Sequence, residues 1–279
     1  MTDLTVTRPV INVREEAHPD VLERVETALA VRLDRASVVY GESGATEGFR
    51  TNAGTWVRIE RRGATRFAAA WVGLEAASVI EGVTKPRWFQ SVTWADPGRG
   101  VVWRADELEL ITAPMVGELR TAALMPDVWW SGLRASLAAL ATHQTQRVGM
   151  SQAHVTRRII EMFGDDVNTR VDEWVTAHTD VHWHNLSVQG HLIDWEDWGT
   201  APRGLDAACL WQASLRDVDL AARVRREFAA DLDTRSGTLS MLVQCANVIR
   251  GAARRGNETS LSHAARAAST GLLAALADL

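Results

Sequence analysis

The sequence predicts an α+β protein in which a small antiparallel β-sheet precedes a larger helical region. Between about residues 35 and 111, short β-rich runs alternate with Gly, Asn or Pro, a pattern typical of antiparallel strands. From about residue 126 onward, apolar residues recur at helical spacing instead. A chain of 279 residues is long enough to form one large domain or two lobes.

The first half is predicted to contain four strands and one helix. Gly, Asn or Pro residues separate the β-rich runs, and one helical run interrupts them. The predicted strands are residues 37–40, 55–60, 90–94 and 101–110, and the predicted helix covers about 64–82.

The second half is predicted to be mostly helical. Ser151 is a suitable N-cap and Gly164 a suitable C-cap for one of these helices. The predicted helices are residues 127–147, 151–163, 215–232, 238–254 and 260–279.

Side chains suited to catalysis concentrate between residues 178 and 194. Asp180 begins a loop after an apolar run, and Asn185 closes that loop. A short hairpin with Gln189-Gly190 as its turn would bring Asp194 back beside Asn185. Amide and carboxylate oxygens suit magnesium, and a third group that accepts a hydroxyl proton completes what phosphoryl transfer requires. Taken singly, each residue also fits an ordinary turn or cap.

These residues carry a resemblance to a known family. The patterns H-x-D-x-H-x-x-N, D-W-E and G-x-x-P followed by an aspartate resemble those of the aminoglycoside phosphotransferase and choline kinase group. The resemblance is firm from about residue 133 to 211. Its matching residues are His178, Asp180, His182, Asn185, Asp194, Trp195, Glu196, Gly199, Pro202 and Asp206.

The resemblance implies a protein-kinase-like two-lobe fold, with an N-lobe at 1–110, a hinge at 111–116 and a C-lobe at 117–279. It implies ATP or GTP and Mg²⁺ as cofactors, and phosphoryl transfer to a hydroxyl of a small molecule. In the family this is most often an antibiotic, of aminoglycoside, nucleoside or basic peptide type. The implied roles are base for Asp180, magnesium ligands for Asn185 and Asp194, and support of the catalytic loop for His178 and Asp206.

The residues expected to hold nucleotide phosphates depart from the family pattern. Gly41, Ser43 and Gly44 lie between two strands, where they form either a phosphate-binding loop or a plain hairpin turn. The family has a lysine on the next strand, and Arg58 stands there instead. Glu75, in the following helix, is the predicted partner of Arg58.

The acceptor pocket is predicted from residues near the motif. The chain has 12 tryptophans, and Trp183 and Trp198 occupy loop positions expected to face a cleft. His184 and Glu196 are further candidates for contact with the substrate.

Composition excludes some classes of protein. A net charge of −5 argues against a nucleic-acid binder, and no run of apolar residues is long enough to cross a membrane. The polar N-terminus and two cysteines in apolar runs indicate a cytoplasmic protein. We expect a monomer or a homodimer. Three alternatives remain: a metabolic kinase acting on choline, homoserine or a sugar, a hydrolase using the His-rich motif and a metal, and a binding module without activity.

Overall fold

The computed structural model describes residues 12–63 and 69–277. These residues form two compact units. The first contains the described residues up to Ser78 together with Pro86–Thr112, and the second contains Val79–Lys85 and the chain from Ala113 onward. The division after Thr112 falls inside the predicted hinge. The prediction that residues 1–110 form one lobe is wrong for Val79–Lys85, which belongs to the second unit.

The first unit is built on a five-stranded antiparallel sheet with the strand order β1-β2-β3-β5-β4. A helix, α1 (Pro19–Leu29), precedes it. The sequence did not predict α1 or β2, and in β2 Gly48 and charged residues interrupt the β-rich pattern. The strands are β1 (Val39–Tyr40), β2 (Thr46–Arg50), β3 (Thr55–Gly63), β4 (Trp88–Asp96) and β5 (Val101–Glu109).

The two faces of this sheet differ in chemistry because side chains alternate along each strand. Val57 and Ile59 of β3 belong to a buried apolar core that includes the apolar side of α1. On the other face, Arg58 lies opposite Asp106 and Glu60 opposite Arg104. The sheet therefore has an apolar face and a charged face.

The helix predicted at 64–82 is much shorter in the structure. Its residues 64–68 lie outside the described part of the chain. Beyond them, 3₁₀ turns at Ala69–Val72 and Ala77–Val79 flank a single helical turn, α2 (Gly73–Ala76). After Val79 the chain leaves helical geometry, and Thr84 donates its N–H to Ser136 Oγ at 3.4 Å and accepts the N–H of Leu192 at 2.9 Å.

The second unit is mainly helical. A two-stranded antiparallel sheet of β6 (Trp174–Ala177) and β7 (Gly199–Pro202) flanks the catalytic motif. None of the helices in the described ranges combines the length and apolar character that a membrane span requires. The helices are α3 (Leu119–Ala123), α4 (Asp127–Thr142), α5 (Gln152–Phe163), α6 (Leu205–Ser214), α7 (Val218–Glu227), α8 (Ala229–Leu232), α9 (Arg235–Arg255) and α10 (Ser260–Ala277).

Several helix ends follow their predicted signals. Ser151 Oγ accepts the N–H of His154 at 3.2 Å, and Gly164 ends α5 with a φ of 93°. Two boundaries differ. Helix α4 stops at Thr142 because the following chain runs beside β7, where Gly149 N–H donates to Thr200 O. The helix predicted at 215–232 is divided at Phe228 into α7 and α8.

Candidate active site

The catalytic loop starts where β6 ends, and Asp206 holds its first two residues. Asp206, in the first turn of α6, accepts the N–H of His178 at 2.8 Å and of Thr179 at 2.7 Å, one on each carboxylate oxygen. Thr179 has a φ of 74°, a left-handed conformation that costs energy in a β-branched residue. The two bonds from Asp206 stabilise that conformation. Burial raises the pKa of Asp206 to about 6, although both N–H bonds oppose the shift.

Asp180 presents an exposed carboxylate held by two neighbours. His182 Nε2 lies 3.5 Å from Asp180 Oδ2, and Asn185 Nδ2 donates to the same oxygen at 3.2 Å. His182 Nδ1 accepts the N–H of His184 at 3.2 Å, which assigns the ring proton to Nε2, toward Asp180. The hydrogen bond from His182 lowers the pKa of Asp180, against the opposing effect of partial desolvation by the surrounding loop. Asp180 is therefore ionised and oriented, as a proton acceptor must be.

The predicted hairpin is present and places Asp194 next to Asn185 along its edge. Leu186 and Leu192 form an antiparallel bridge, and Gly190 supplies the turn with a φ of 87°. The carbonyl of Asn185 then accepts the N–H of Ile193 at 2.9 Å. Asp194 follows directly, with an exposed side chain and a left-handed φ of 68°. The turn thus aims a carboxylate outward beside the catalytic loop.

Asn185 and Asp194 fit the role of magnesium ligands by their chemistry. The amide nitrogen of Asn185 is used by Asp180, through its carbonyl at 3.0 Å and its carboxylate, which leaves the amide oxygen to accept. Asp194 adds an exposed carboxylate. Hard oxygen donors of this kind suit magnesium, whose remaining positions are filled by water and phosphate.

His178 lies behind the loop rather than in contact with solvent. Its ring is 1% exposed and packs edge-on against Trp195, with ring centroids 4.8 Å apart. Trp195 in turn donates its indole N–H to Leu192 O at 2.7 Å. Burial lowers the pKa of His178 to about 4, partly offset by Asp180 and the backbone of Ile193. The neutral ring is therefore packed in the core behind the loop.

The His-rich metal centre raised by the sequence has no counterpart in the described ranges. No group of three His, Cys, Asp or Glu side chains there is arranged to hold a metal ion. His182 faces Asp180, His184 lies edge-on to His182 with centroids 6.0 Å apart, and His178 is in the core.

Trp183 does not line an open pocket, and the prediction of substrate contact is wrong for this residue. The side chain is 2% exposed and packs 6.2 Å from Trp129 and 5.9 Å from Trp130, measured between ring centroids. Its indole N–H donates to Ser214 Oγ at 3.2 Å. Trp183 belongs to the core of the second unit, while its neighbour His184 is exposed.

Trp198 is also buried, at 2% exposure, and the prediction that it faces a cleft is wrong. Arg147 stacks its guanidinium 4.9 Å from the Trp198 ring centroid and donates to Trp198 O at 3.0 Å and Glu196 O at 2.7 Å. Arg147 therefore clamps the segment that follows Asp194. The role of Arg147 was not predictable from the sequence, since nothing in its local pattern marks a residue 49 positions before its partner.

The ion pairs of the first unit differ from the predicted ones. Glu75 pairs with Arg104 at 3.0 Å, and Arg58 pairs with Glu60 at 2.9 Å, so the expected pair of Arg58 with Glu75 is replaced. Arg104 is nearly buried and also binds Asp106. These pairs follow from the sheet register, in which Arg104 of β5 lies opposite Glu60 of β3. Spacing along the sequence does not reveal this strand pairing.

The glycine turn favours the plain hairpin over the phosphate-binding loop. Gly41 N–H donates to Thr46 O at 3.0 Å, and Gly44 N–H donates to Gly41 O at 3.2 Å. Ser43 Oγ accepts from Ala45 N–H at 3.3 Å. The N–H groups of both glycines are thus used within the turn, contrary to a role in binding phosphate.

Comparison with known proteins identifies the fold. No protein-family model and no curated protein matches the sequence. Solved structures do match, and the chain has the kinase-like fold of aminoglycoside phosphotransferases and choline kinases.

Three of these structures illustrate the likeness. The amicoumacin kinase hAmiN, in complex with AMP-PNP, Ca²⁺ and Ami, is 12% identical, with a TM-score of 0.59 over 94% of this chain and 96% of that one. The aminoglycoside phosphotransferase APH(4)-Ia, with AMP-PNP and hygromycin B, is 10% identical, with a TM-score of 0.57 over 92% and 99%. A choline/ethanolamine kinase family protein from Mesorhizobium loti is 11% identical, with a TM-score of 0.55 over 92% and 94%.

Proposed function

We propose that this protein is a phosphotransferase that moves the γ-phosphate of ATP or GTP to a hydroxyl of a small molecule. The observation that carries the proposal is the arrangement of Asp180, Asn185 and Asp194 on a kinase-like fold. Asn185 connects the other two, because its amide binds Asp180 and its carbonyl binds the residue before Asp194. Little else is required of the protein near the reacting atoms.

Asp180 would accept the hydroxyl proton of the substrate. Its carboxylate is exposed, so a hydroxyl can approach it, and His182 and Asn185 fix its orientation. The hydrogen bond from His182 keeps Asp180 ionised, which is the form that accepts a proton. Orienting the hydroxyl toward the phosphorus is the larger part of the role, since positioning dominates catalysis of phosphoryl transfer.

Asn185 and Asp194 would hold Mg²⁺, which when bound neutralises charge on the phosphates. Asp194 contributes a full negative charge and Asn185 a neutral oxygen. Thus Asp194→Ala should weaken metal-dependent nucleotide binding more than Asn185→Ala.

We propose the charged sheet face of the first unit, which carries Arg58, as the region that contacts nucleotide phosphates. An arginine supplies the charge of the usual lysine and adds a fork that matches phosphate oxygens. Arg58→Ala should raise the nucleotide KM, and Arg58→Lys should restore part of the loss. Glu60 takes the place first expected for Glu75, because it is the carboxylate paired with Arg58.

The acceptor is proposed to be an antibiotic. Two of the similar structures contain an antibiotic or are named for one, the amicoumacin kinase and APH(4)-Ia with hygromycin B. The choline/ethanolamine kinase family protein supports a metabolic alcohol as the second candidate. Because Trp183 and Trp198 are buried, stacking on these tryptophans does not select among the acceptors.

A turnover screen separates these candidates. Purified protein is incubated with ATP or GTP, Mg²⁺ and single acceptors: aminoglycosides, nucleoside antibiotics, basic peptides, choline, homoserine and sugars. Nucleoside diphosphate release and the mass of the phosphorylated product are measured, with Asp180→Asn as the matched control. A product that forms with the native protein and not with the control supports the proposal. No product with any acceptor, together with no binding of either nucleotide in Mg²⁺, would overturn it.

A further inference from the structure

One face of the second unit carries basic side chains that the proposed phosphoryl transfer does not use. On α5, residues 154, 157, 158 and 161 are spaced so that they share one side of the helix. Helix α9 packs against α5 and adds two arginines one turn apart. We call this group the basic cluster; it consists of His154, Arg157, Arg158, Arg250 and Arg254.

The positive charge of the basic cluster is poorly compensated. Glu161 accepts from Arg158 Nη1 at 3.1 Å and from Arg250 Nε at 2.8 Å. Among the residues that the structure describes, Glu161 is the one carboxylate that forms an ion pair with these arginines. The hydrogen bond from Arg250 lowers the pKa of Glu161, and the charges of Arg158 and Arg254 lower it further. Two of the cluster's four guanidinium groups thus pair with one carboxylate, in a chain whose net charge is −5.

Arg158 has a donor that the described part of the chain leaves unsatisfied. Its side chain is 11% exposed, and its Nε is buried with no hydrogen-bond partner among the described residues. Burial lowers the pKa of Arg158, and the charge of Arg250 adds to this effect. An unsatisfied donor on a charged group is costly, so the charge of Arg158 is only partly compensated by Glu161.

The pKa of His154 is lowered by the same excess of positive charge. Burial lowers its pKa, and the charges of Arg158, Arg157 and Arg250 lower it further. Arg157 Nη2 lies 3.3 Å from His154 Nδ1. Because a guanidinium can only donate, Nδ1 accepts this hydrogen bond and the ring is neutral. A bound anion would reverse these effects and raise the pKa of His154.

We propose that the basic cluster binds a small, polyvalent anion that carries phosphate groups. Guanidinium forks match phosphate oxygens in pairs, and the cluster offers four of them. The basic residues of α5, from 154 to 158, span about one turn, about 6 Å, which suits a pyrophosphate-sized anion. Nucleic acid would require a more extended basic surface. The site shares no residue with the candidate active site and stands independently of the proposed function.

The test titrates full-length protein with inorganic pyrophosphate, without divalent metal and at constant ionic strength. Binding is followed by the His154 ring signal in NMR spectra, which is assigned by its absence in His154→Gln. We expect a saturable change and a raised pKa of His154. In R250Q/R254Q the affinity should fall at least about tenfold, since two phosphate contacts are lost. The control R32Q/R225Q removes two exposed arginines of other ion pairs and should bind as the native protein does.

A second variant keeps the proposal testable if R250Q/R254Q fails to fold. Glu161→Gln removes the one carboxylate that, among the described residues, pairs with the cluster, so pyrophosphate should bind several-fold more tightly. Circular dichroism checks the helix content of each variant. A response that does not saturate, that equal ionic strength of NaCl reproduces, or that Glu161→Gln leaves unchanged would overturn the proposal.

Discussion

The charge state of a single carboxylate decides whether the catalytic loop can work. Asp180 must be ionised to accept a proton, and the structure supplies two donors that favour this state, His182 and Asn185. Removing the carboxylate charge while keeping its shape therefore isolates the chemical role. Asp180→Asn should lower kcat by about 10²–10⁴-fold with nucleotide binding and fold unchanged, as measured by steady-state kinetics and nucleotide titration. Near-native turnover in this variant would remove Asp180 from the mechanism.

His182 should set the pH at which Asp180 becomes active. Its hydrogen bond is the main cause of the lowered pKa of Asp180. His182→Ala should therefore raise the pKa of Asp180 and move the acidic limb of the kcat/KM profile to higher pH. His182→Gln, which retains an N–H donor, should recover part of the shift. A merely structural role for His182 would leave the acidic limb in place.

Among the elements, the junction between α6 and the catalytic loop is held by one side chain. Asp206 accepts two buried N–H groups. Asp206→Ala leaves both N–H groups without a partner. It should lower the free energy of unfolding by about 1–3 kcal/mol for each group. Asp206→Asn keeps one acceptor oxygen and should lose less. Urea unfolding measures both variants, and equal stability of Asp206→Ala and the native protein would contradict the assignment.

Helix α4 and the catalytic loop meet in a tryptophan cluster, which makes Trp183 a packing residue. Trp183→Ala should destabilise the protein by about 3–5 kcal/mol, because it leaves a large cavity beside Trp129 and Trp130. Trp183→Phe should lose much less stability and leave the KM for the acceptor unchanged. An acceptor KM that rises severalfold in Trp183→Phe, with stability retained, would restore the idea that Trp183 touches the substrate.

At the scale of the whole molecule, the two units should respond differently to pH. In the first unit, His18 Nε2 lies 2.5 Å from Glu47 Oε1, and both residues are buried. Burial opposes protonation of His18, but hydrogen bonds to Glu47 and to Glu16 O outweigh it and raise the pKa. A raised pKa in the folded state means that the added stability is complete below about pH 6.5 and is lost as pH rises through the folded value.

Hydrogen exchange with mass spectrometry checks this difference. Peptides from β2 and β3 should lose protection against exchange between pH 6 and pH 9, after correction for intrinsic exchange. Their free energy of opening should fall by about 1.4 kcal/mol for each unit by which the pKa of His18 is raised. Peptides from α9 should not follow the same titration. His18→Gln should abolish the dependence in β2 and β3, and the exposed His263→Gln serves as the control. The same pH dependence in His18→Gln would rule out His18 as its source.

Patterns of local origin were predictable from the sequence alone. The hairpin between Asn185 and Asp194, the cap at Ser151 and the end of α5 at Gly164 all follow from turn and cap chemistry over a few residues. The order of a β-rich half and a helical half was predictable for the same reason, because side-chain period reflects which face of an element is buried.

Long-range packing decided the rest. The pairing of Arg104 with Glu75, the clamp of Arg147 on the segment after Asp194 and the burial of Trp183 join residues 29 to 54 positions apart. Local spacing cannot reveal such contacts, because they depend on strand register and on which helix face meets which neighbour. The sequence therefore determined which chemical groups the catalytic loop carries, and the tertiary structure decided which surrounding side chains support them and which are withdrawn into the core.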